Sequence, residues 1–340
     1  MKRTQGRSVL MIYTGGTIGS ELNRSTGSLR PVQFERVMEF IPEIAQLEID
    51  VDVHSFAKPV DSSDMNPLIW KDLAGLIRSN YHRYDGFVIL HGTDTMSYSA
   101  SALSFMIENC GKPVIFTGSQ LPVNQIRSDA RENLITALEI AGGNTGVREV
   151  CIYFEYKLFR GNRSIKMSSE HFDAFVSPNY PILGEAGVHL KIYDDYLLKP
   201  EEKEVLFKDQ LEDSVFALRI FPGISLKRIE YILNDPELKG LILQTYGSGN
   251  CPTDPAFTRI IREAVDRGMF IGNVSQCPGG NVIPSLYEAG IHLEKAGVCG
   301  LGDMTTEAAV TKLMWLSGYR TEESELRALM PLNLRGEIST

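Results

Sequence analysis

The sequence predicts an α/β chain of two domains, a larger N-terminal one built on a parallel sheet and a smaller C-terminal one of the same kind. Three observations carry this. Short, wholly apolar runs alternate with amphipathic segments, as strands buried on both faces alternate with the helices that cover them. The 340 residues exceed the roughly 150 of an ordinary domain. One stretch, residues 194–213, is crowded with charge and divides the alternation in two. The expected division is therefore a first domain over residues 1–193, a linker over 194–213 and a second domain over 214–340.

The elements follow in order. Residues 9–13 are an apolar strand, Phe34, Val37, Met38 and Ile41 recur at helical spacing, and residues 49–56 alternate like a strand. Asn66-Pro67 is a helix start, a side-chain cap followed by proline at the first position. Leu68, Ile69, Leu73, Leu76 and Ile77 form that helix's apolar face. Residues 87–90 read as a buried strand, 97–109 as a helix closed by Gly111, and 114–116 as a strand. Asp129 with Glu132 three residues on reads as a capped helix start, and Gly142-Gly143 as its end. Residues 150–154 are another strand. Beyond the charged stretch, strands are expected at 215–221, 240–243 and 270–274, and helices at 225–233, 255–267 and 306–316.

Composition narrows the function. The chain is 43% hydrophobic and 23% charged, an ordinary globular balance. Its net charge of -9 repels phosphate backbones and anionic lipid heads, so neither nucleic acid nor a membrane is an expected partner. No apolar run approaches the roughly 18 residues of a membrane span, and the one after Met1-Lys2-Arg3 is too short for a signal peptide. Five scattered cysteines without a C-x-x-C pair suit free thiols in a reducing cytoplasm. The six histidines form no H-E-x-x-H and no close pair, so no metal or other cofactor is expected.

In parallel α/β sheets ligands bind beyond the carboxyl ends of the strands. The first strand ends in Thr14-Gly15-Gly16-Thr17-Ile18-Gly19 and the next leads to Asp61-Ser62-Ser63-Asp64. The third ends in His91-Gly92-Thr93-Asp94-Thr95 and the fourth in Thr117-Gly118-Ser119-Gln120. All four tips carry hydroxyls and two carry carboxylates, a set that suits a small zwitterion. The glycines do not fit G-x-G-x-x-G, and neither a P-loop nor a G-x-S-x-G elbow is present. Paired glycines let a substrate approach the backbone beside Thr17. A threonine hydroxyl is a weak nucleophile and needs a nearby base, for which Thr93, Asp94 and a lysine are the candidates. Lysine serves only if its pKa is lowered or its proton relayed. Asp94 alone fits a helix cap equally well, and His91 fits packing at a strand end.

Taken together, the tips resemble those of bacterial L-asparaginases, most closely the cytoplasmic type I enzymes. The matching segments are Tyr-Thr-Gly-Gly-Thr-Ile-Gly ending at Gly19, Asp-Ser-Ser-Asp-Met from Asp61, and Ile-Leu-His-Gly-Thr-Asp-Thr-Met ending at Met96. Gly-Lys-Pro-Val-Ile-Phe-Thr-Gly-Ser-Gln from Gly111, Arg-Gly-Asn-Arg from Arg160 and Asn-Leu-Arg-Gly-Glu from Asn333 extend the likeness over nearly the whole chain. The resemblance implies an asparaginase-like fold with the site in the larger domain. It implies L-asparagine as substrate, Thr17 as nucleophile, and Thr93, Asp94 and Lys166 as a second catalytic set. Asp61, Ser62 and Ser63 match the segment that grips the substrate's α-amino and α-carboxylate groups. A homodimer or homotetramer is implied as well.

Two departures stand out. Residues 20–31 hold no tyrosine, where many relatives carry one that helps activate the nucleophile; Tyr13 is a candidate substitute. The effector site of some type I enzymes is matched by Ser275-Gln276-Cys277, with Gln244 in the place of an arginine. Losing that guanidinium removes a bidentate carboxylate clamp. Two alternatives accompany the asparaginase reading: an enzyme hydrolysing both asparagine and glutamine, and a non-catalytic amino-acid sensor on the same fold. Ammonia release from each amide separates all three.

Overall fold

The structure, a computed structural model, describes residues 6–22, 29–31, 39–199, 203–283, 288–320 and 322–339. The expected helix through Phe34, Val37 and Met38 lies outside the described residues. The chain forms two compact units: Met1–Ser177 with Pro181–Asp209, and Pro178–Tyr180 with Gln210–Thr340.

Five parallel strands make the centre of the larger unit, in the order Ile49–Val60, Arg7–Gly15, Gly86–Leu90, Val114–Thr117 and Val150–Phe154. Every residue of Gly86–Leu90 and Val150–Phe154 is buried, which is why these runs are apolar throughout rather than alternating. The first strand lies between the second and the third, so the winding reverses there. Such a reversal splays neighbouring loops and opens a crevice at the carboxyl ends.

The sheet is mixed rather than wholly parallel. Lys157–Arg160, Gly184–Ala186 and Leu190–Ile192 extend it antiparallel to eight strands. The reversal comes at Glu155 and Tyr156, whose φ values of 44° and 66° form a two-residue hairpin turn. Such turns usually contain glycine or asparagine, so this one leaves no signal in the sequence.

The Asn66 side chain accepts from the Leu68 and Ile69 N–H groups and starts helix Pro67–Asn80 as expected. Trp70, Leu73, Ala74 and Ile77 are its buried residues, whereas Leu68, expected on the apolar face, is exposed. The helix expected over 97–109 is Met96–Met106, cut short where Ile107–Glu108 pairs with Leu206–Phe207. Of the stretch expected as a linker, the described residues 194–199 and 203–209 group with the larger unit. Arg160 and Glu149, an ion pair at 2.7 Å and almost fully buried, explain the attachment. Arg160 donates to the Tyr196 carbonyl, and Glu149 accepts from the Leu198 N–H. A buried pair needs such partners for its remaining donors and lone pairs.

The smaller unit has four parallel strands, Val215–Arg219, Gly240–Thr245, Phe270–Ser275 and Cys299–Gly300. Helices Leu226–Leu233 and Pro255–Asp266 bury Ile229, Leu233, Phe257 and Ile261 against Leu241, Leu243 and Ile271. Helix Thr306–Tyr319 carries Lys312, which is fully buried and 2.5 Å from Glu337 of the C-terminal Asn-Leu-Arg-Gly-Glu segment.

Candidate active site

The tips of the first three strands touch backbone to backbone, and glycine makes this possible. A Cβ on Gly15 would lie 2.3 Å from the Val60 carbonyl oxygen, and one on Gly16 only 2.5 Å from the Gly92 nitrogen. Both glycines also adopt positive φ, at 131° and 89°. A Cβ on Gly92 would meet the Ser62 hydroxyl at 2.6 Å. Hydroxyls complete the joining: Thr14 donates to the Leu90 carbonyl at 2.8 Å and Thr95 to the Ser62 carbonyl at 2.6 Å. Thr17 follows Gly16 and Thr93 follows Gly92, so both threonines leave the same backbone contact. The structure therefore brings together the strand tips that carry Thr17, Asp61, Ser62, Ser63, Thr93 and Asp94.

Thr17 begins a single 3-10 turn, Thr17–Gly19, and is half-buried. Its hydroxyl has no hydrogen-bond partner among the described residues. Tyr13, the candidate substitute for a lid tyrosine, is held beneath this turn. It is buried, its hydroxyl donates to the Gly19 carbonyl at 3.1 Å, and burial pushes its pKa up to about 12. That proton is held too tightly for Tyr13 to act as a base near neutrality. Gly19 has no side chain because Tyr13 occupies that space, 2.1 Å from where a Cβ would lie.

Lys166 arrives from a separate element. The two-stranded pair Ile165–Lys166 and Phe175–Val176 brings its ammonium 2.7 Å from the Thr93 hydroxyl and 2.7 Å from the Asp94 carboxylate. Lys166 is 16% exposed and Asp94 67% exposed. The pair is thus half-buried at its lysine end and open to ligand or solvent at its carboxylate end. Asp61 accepts from both the N–H and the hydroxyl of Ser63, at 2.9 and 2.8 Å. Ser63, expected to donate to a carboxylate, has both of those donors turned to Asp61. Ser62 is buried against Gly92.

Two further residues, read from the sequence as packing at a strand end and as a helix cap, support the strand tips. His91 is fully buried and burial holds its pKa down, to about 4. Its Nδ1 lies 2.6 Å from the Gly92 carbonyl and its Nε2 2.9 Å from the Ser99 hydroxyl. Trp70 donates to that hydroxyl in turn at 2.8 Å. A neutral imidazole with Nδ1–H donating satisfies every group in this chain and braces the peptide before Thr93. Asp129, expected to cap its helix, makes no side-chain cap bond. It accepts instead from the N–H groups of Gln120 and Leu121, while Glu132 accepts from Thr136 and Tyr153. The carboxylate steadies the fourth strand tip rather than the helix it begins.

The candidate effector residues cluster at the carboxyl ends of the smaller unit's strands. Gln276 donates to the Ile220 and Gln244 carbonyls, at 2.6 and 2.8 Å. Ser275 donates to the Gly247 carbonyl and accepts from the Cys277 N–H. Cys277 is exposed and Gln244 half-buried. Ser275 and Gln276 use their side chains to join strand ends.

Known proteins match this chain over nearly its whole length. The N-terminal asparaginase family model covers residues 8–197, and the glutaminase/asparaginase C-terminal domain model covers 214–330. L-asparaginase 1 of Escherichia coli is 43% identical over 338 residues, 98% of this chain and 99% of that protein. The L-asparaginase of Dirofilaria immitis is 40% identical over 97% of this chain and 60% of its own length. Among solved structures, L-asparaginase I of Vibrio cholerae superposes with a TM-score of 0.90 at 39% identity, covering 98% of this chain and 100% of that one. The thermostable L-asparaginase of Thermococcus kodakarensis gives 0.91 at 32% identity, over 98% and 99%. With both family models matched in order and these strand tips in place, the chain belongs to the asparaginase family of hydrolases.

Proposed function

We propose that the protein hydrolyses L-asparagine to aspartate and ammonia through an ester on Thr17. The observation that carries this reading is Lys166, equidistant at 2.7 Å from Thr93 and Asp94, on the loop whose backbone meets that of the Thr17 loop. In it, the Thr17 hydroxyl attacks the side-chain amide carbon and the tetrahedral intermediate expels ammonia. Water then hydrolyses the acyl-threonine. Each step moves one proton, and the Thr93–Lys166 contact offers a relay for it. Asp94 orients the lysine. Asp61 holds the substrate's ammonium, with Ser62 and Ser63 beside its carboxylate.

Asparaginases among the relatives support the substrate, as does the chemistry of the tips. Glutamine is one methylene longer, and one methylene is worth only about 1–3 kcal/mol of discrimination. Dual activity is therefore the second reading. A cytoplasmic homodimer or homotetramer is part of the same proposal, as is regulation at Gln244, Ser275, Gln276 and Cys277.

One assay tests these together: initial rate of ammonia release against asparagine concentration, repeated with glutamine and with Thr17→Ala. The variant should lose turnover by about four orders of magnitude. Wild-type turnover in Thr17→Ala would sink the assignment. A sigmoidal curve for asparagine would favour the effector site.

A further inference from the structure

We propose that Gln120 is a positioning residue, its side-chain amide tying the Thr93 hydroxyl to the hairpin that carries Lys166. The proposal rests on the reading in which Thr93 and Lys166 relay protons during hydrolysis.

The amide bridges two elements. Its nitrogen lies 3.0 Å from the His171 carbonyl oxygen and its oxygen 3.3 Å from the Thr93 hydroxyl. The orientation follows from the chemistry of the partners. A carbonyl oxygen only accepts, so the end facing His171 must be the NH2 group and the end facing Thr93 must be the acceptor. Thr93 has one proton. With the Gln120 oxygen on one side and an ammonium donating at 2.7 Å on the other, that proton points to Gln120 and a lone pair faces Lys166.

His171 lies in the loop between the two short strands that hold Lys166 and Phe175. That loop is ordered from within. Met167 and Ser168 donate to the Ala174 carbonyl, and the Ser168 hydroxyl accepts from the Glu170 and His171 N–H groups. Gln120 is therefore a tether between this hairpin and the third strand tip. Its own backbone is fixed, because its N–H meets both oxygens of Asp129 at 3.1 and 2.9 Å, and Asp129 is buried. The charged groups around the amide are Lys166 and Asp94, reached through Thr93, and Asp129 beneath its backbone.

This geometry has a consequence for the relay. For Thr93 to pass a proton, it must receive one from the attacking hydroxyl as it gives its own to the neutral amine of Lys166, ending as a hydroxyl again. Its hydrogen must first leave Gln120. At 3.3 Å that bond is longer than an ordinary O–H···O bond and weak, so the swing is cheap. Gln120 thus holds Thr93 ready to accept from the charged lysine, and releases it once the lysine is neutral.

The test compares Gln120→Glu and Gln120→Met with the full-length parent, using kcat and KM for asparagine from pH 5 to 10. Glutamate keeps the shape, but its charge favours the ammonium form of the lysine beyond Thr93. It should move the acidic limb of the kcat/KM profile up by about one pH unit. Methionine keeps the length and removes both hydrogen bonds, so kcat should fall about tenfold with KM within about twofold. A Gln120→Glu profile that overlays the parent, or a Gln120→Met enzyme with parental kcat, overturns the proposal. Lys166→Met and Thr93→Val in the same series keep the two readings apart. If those retain parental turnover, the relay itself is wrong. If they lose it while both Gln120 variants match the parent, only the role of Gln120 is wrong. Thermal unfolding of each variant identifies any that fails to fold, and the other Gln120 variant then decides.

Discussion

Each unit of the molecule holds a lysine–carboxylate pair, and the two pairs differ in exposure and in their remaining partners. Lys166 and Asp94 are 2.7 Å apart, with the lysine 16% and the carboxylate 67% exposed. Lys312 and Glu337 are 2.5 Å apart with neither side chain exposed. What differs is the remaining partners. Lys312 also donates to the Met330 and Leu332 carbonyls, at 2.9 and 2.5 Å, so all three ammonium donors are satisfied. Glu337 accepts from the Leu334 and Arg335 N–H groups. Burial pulls the Lys312 pKa down and Glu337 opposes that pull. The pair fastens the C-terminal segment to helix Thr306–Tyr319, and no reactant can reach it. Lys166 has a hydroxyl for its other partner, and hydroxyls exchange protons. In the proposed reaction that hydroxyl is what would let the Lys166 pair pass a proton, which the sealed Lys312 pair has no partner to do.

The largest effect expected from this contrast is on turnover. Lys166→Met should lower kcat by about two to four orders of magnitude while the thermal unfolding midpoint stays within a few degrees. Steady-state ammonia release checks it, and unchanged kinetics would remove the lysine from the mechanism. Lys312→Met should do the reverse. It strands a buried carboxylate and should cost about 3–5 kcal/mol of stability, with kcat per folded molecule kept. Urea unfolding followed by an activity titration would show this, and a variant as stable as the parent would refute the fastening role.

A third effect separates the site from the tail by pH. His91 titrates near 4 in the fold and about 6.5 when unfolded, so between these values the unfolded chain holds the extra proton. Stability should fall as pH drops from 6.5 to 4, by up to about 3 kcal/mol from this group. His91→Gln should flatten that part of the curve; a curve of unchanged slope would mean that His91 is not the group responsible. The smallest effect is expected from replacing both members of the buried pair. Lys312→Met with Glu337→Leu should recover most of the stability lost in Lys312→Met alone, because neither charge is then stranded. A double variant no more stable than the single would show that backbone contacts, not charge, fasten the tail.

Legibility in the sequence followed the reach of each interaction. The buried parallel strands were readable because burial on both faces demands an apolar run, as in Gly86–Leu90. The start at Asn66-Pro67 was readable because a cap and a first-turn proline act within three residues. The antiparallel edge was not, since Glu155 and Tyr156 enter the left-handed region without the residues that usually mark such a turn. The charged stretch looked like a linker because its ties, from Arg160 and Glu149, come from more than 30 residues away. Asp129 looked like a cap because its actual partners, Gln120 and Leu121, lie on the strand tip before the helix it begins.

The strand-tip motifs, by themselves, determined the family and the candidate residues Thr17, Asp61, Thr93 and Asp94, because a reactive group needs a particular side chain at a particular tip. Tertiary structure decided what stands beside each of them. Tyr13 is held by Gly19, the donors of Ser63 turn to Asp61, and Gln120 joins Thr93 to the Lys166 hairpin. Side-chain identity is written in the chain. The direction of a single hydroxyl proton is set by acceptors that only the folded sheet brings within 3.5 Å.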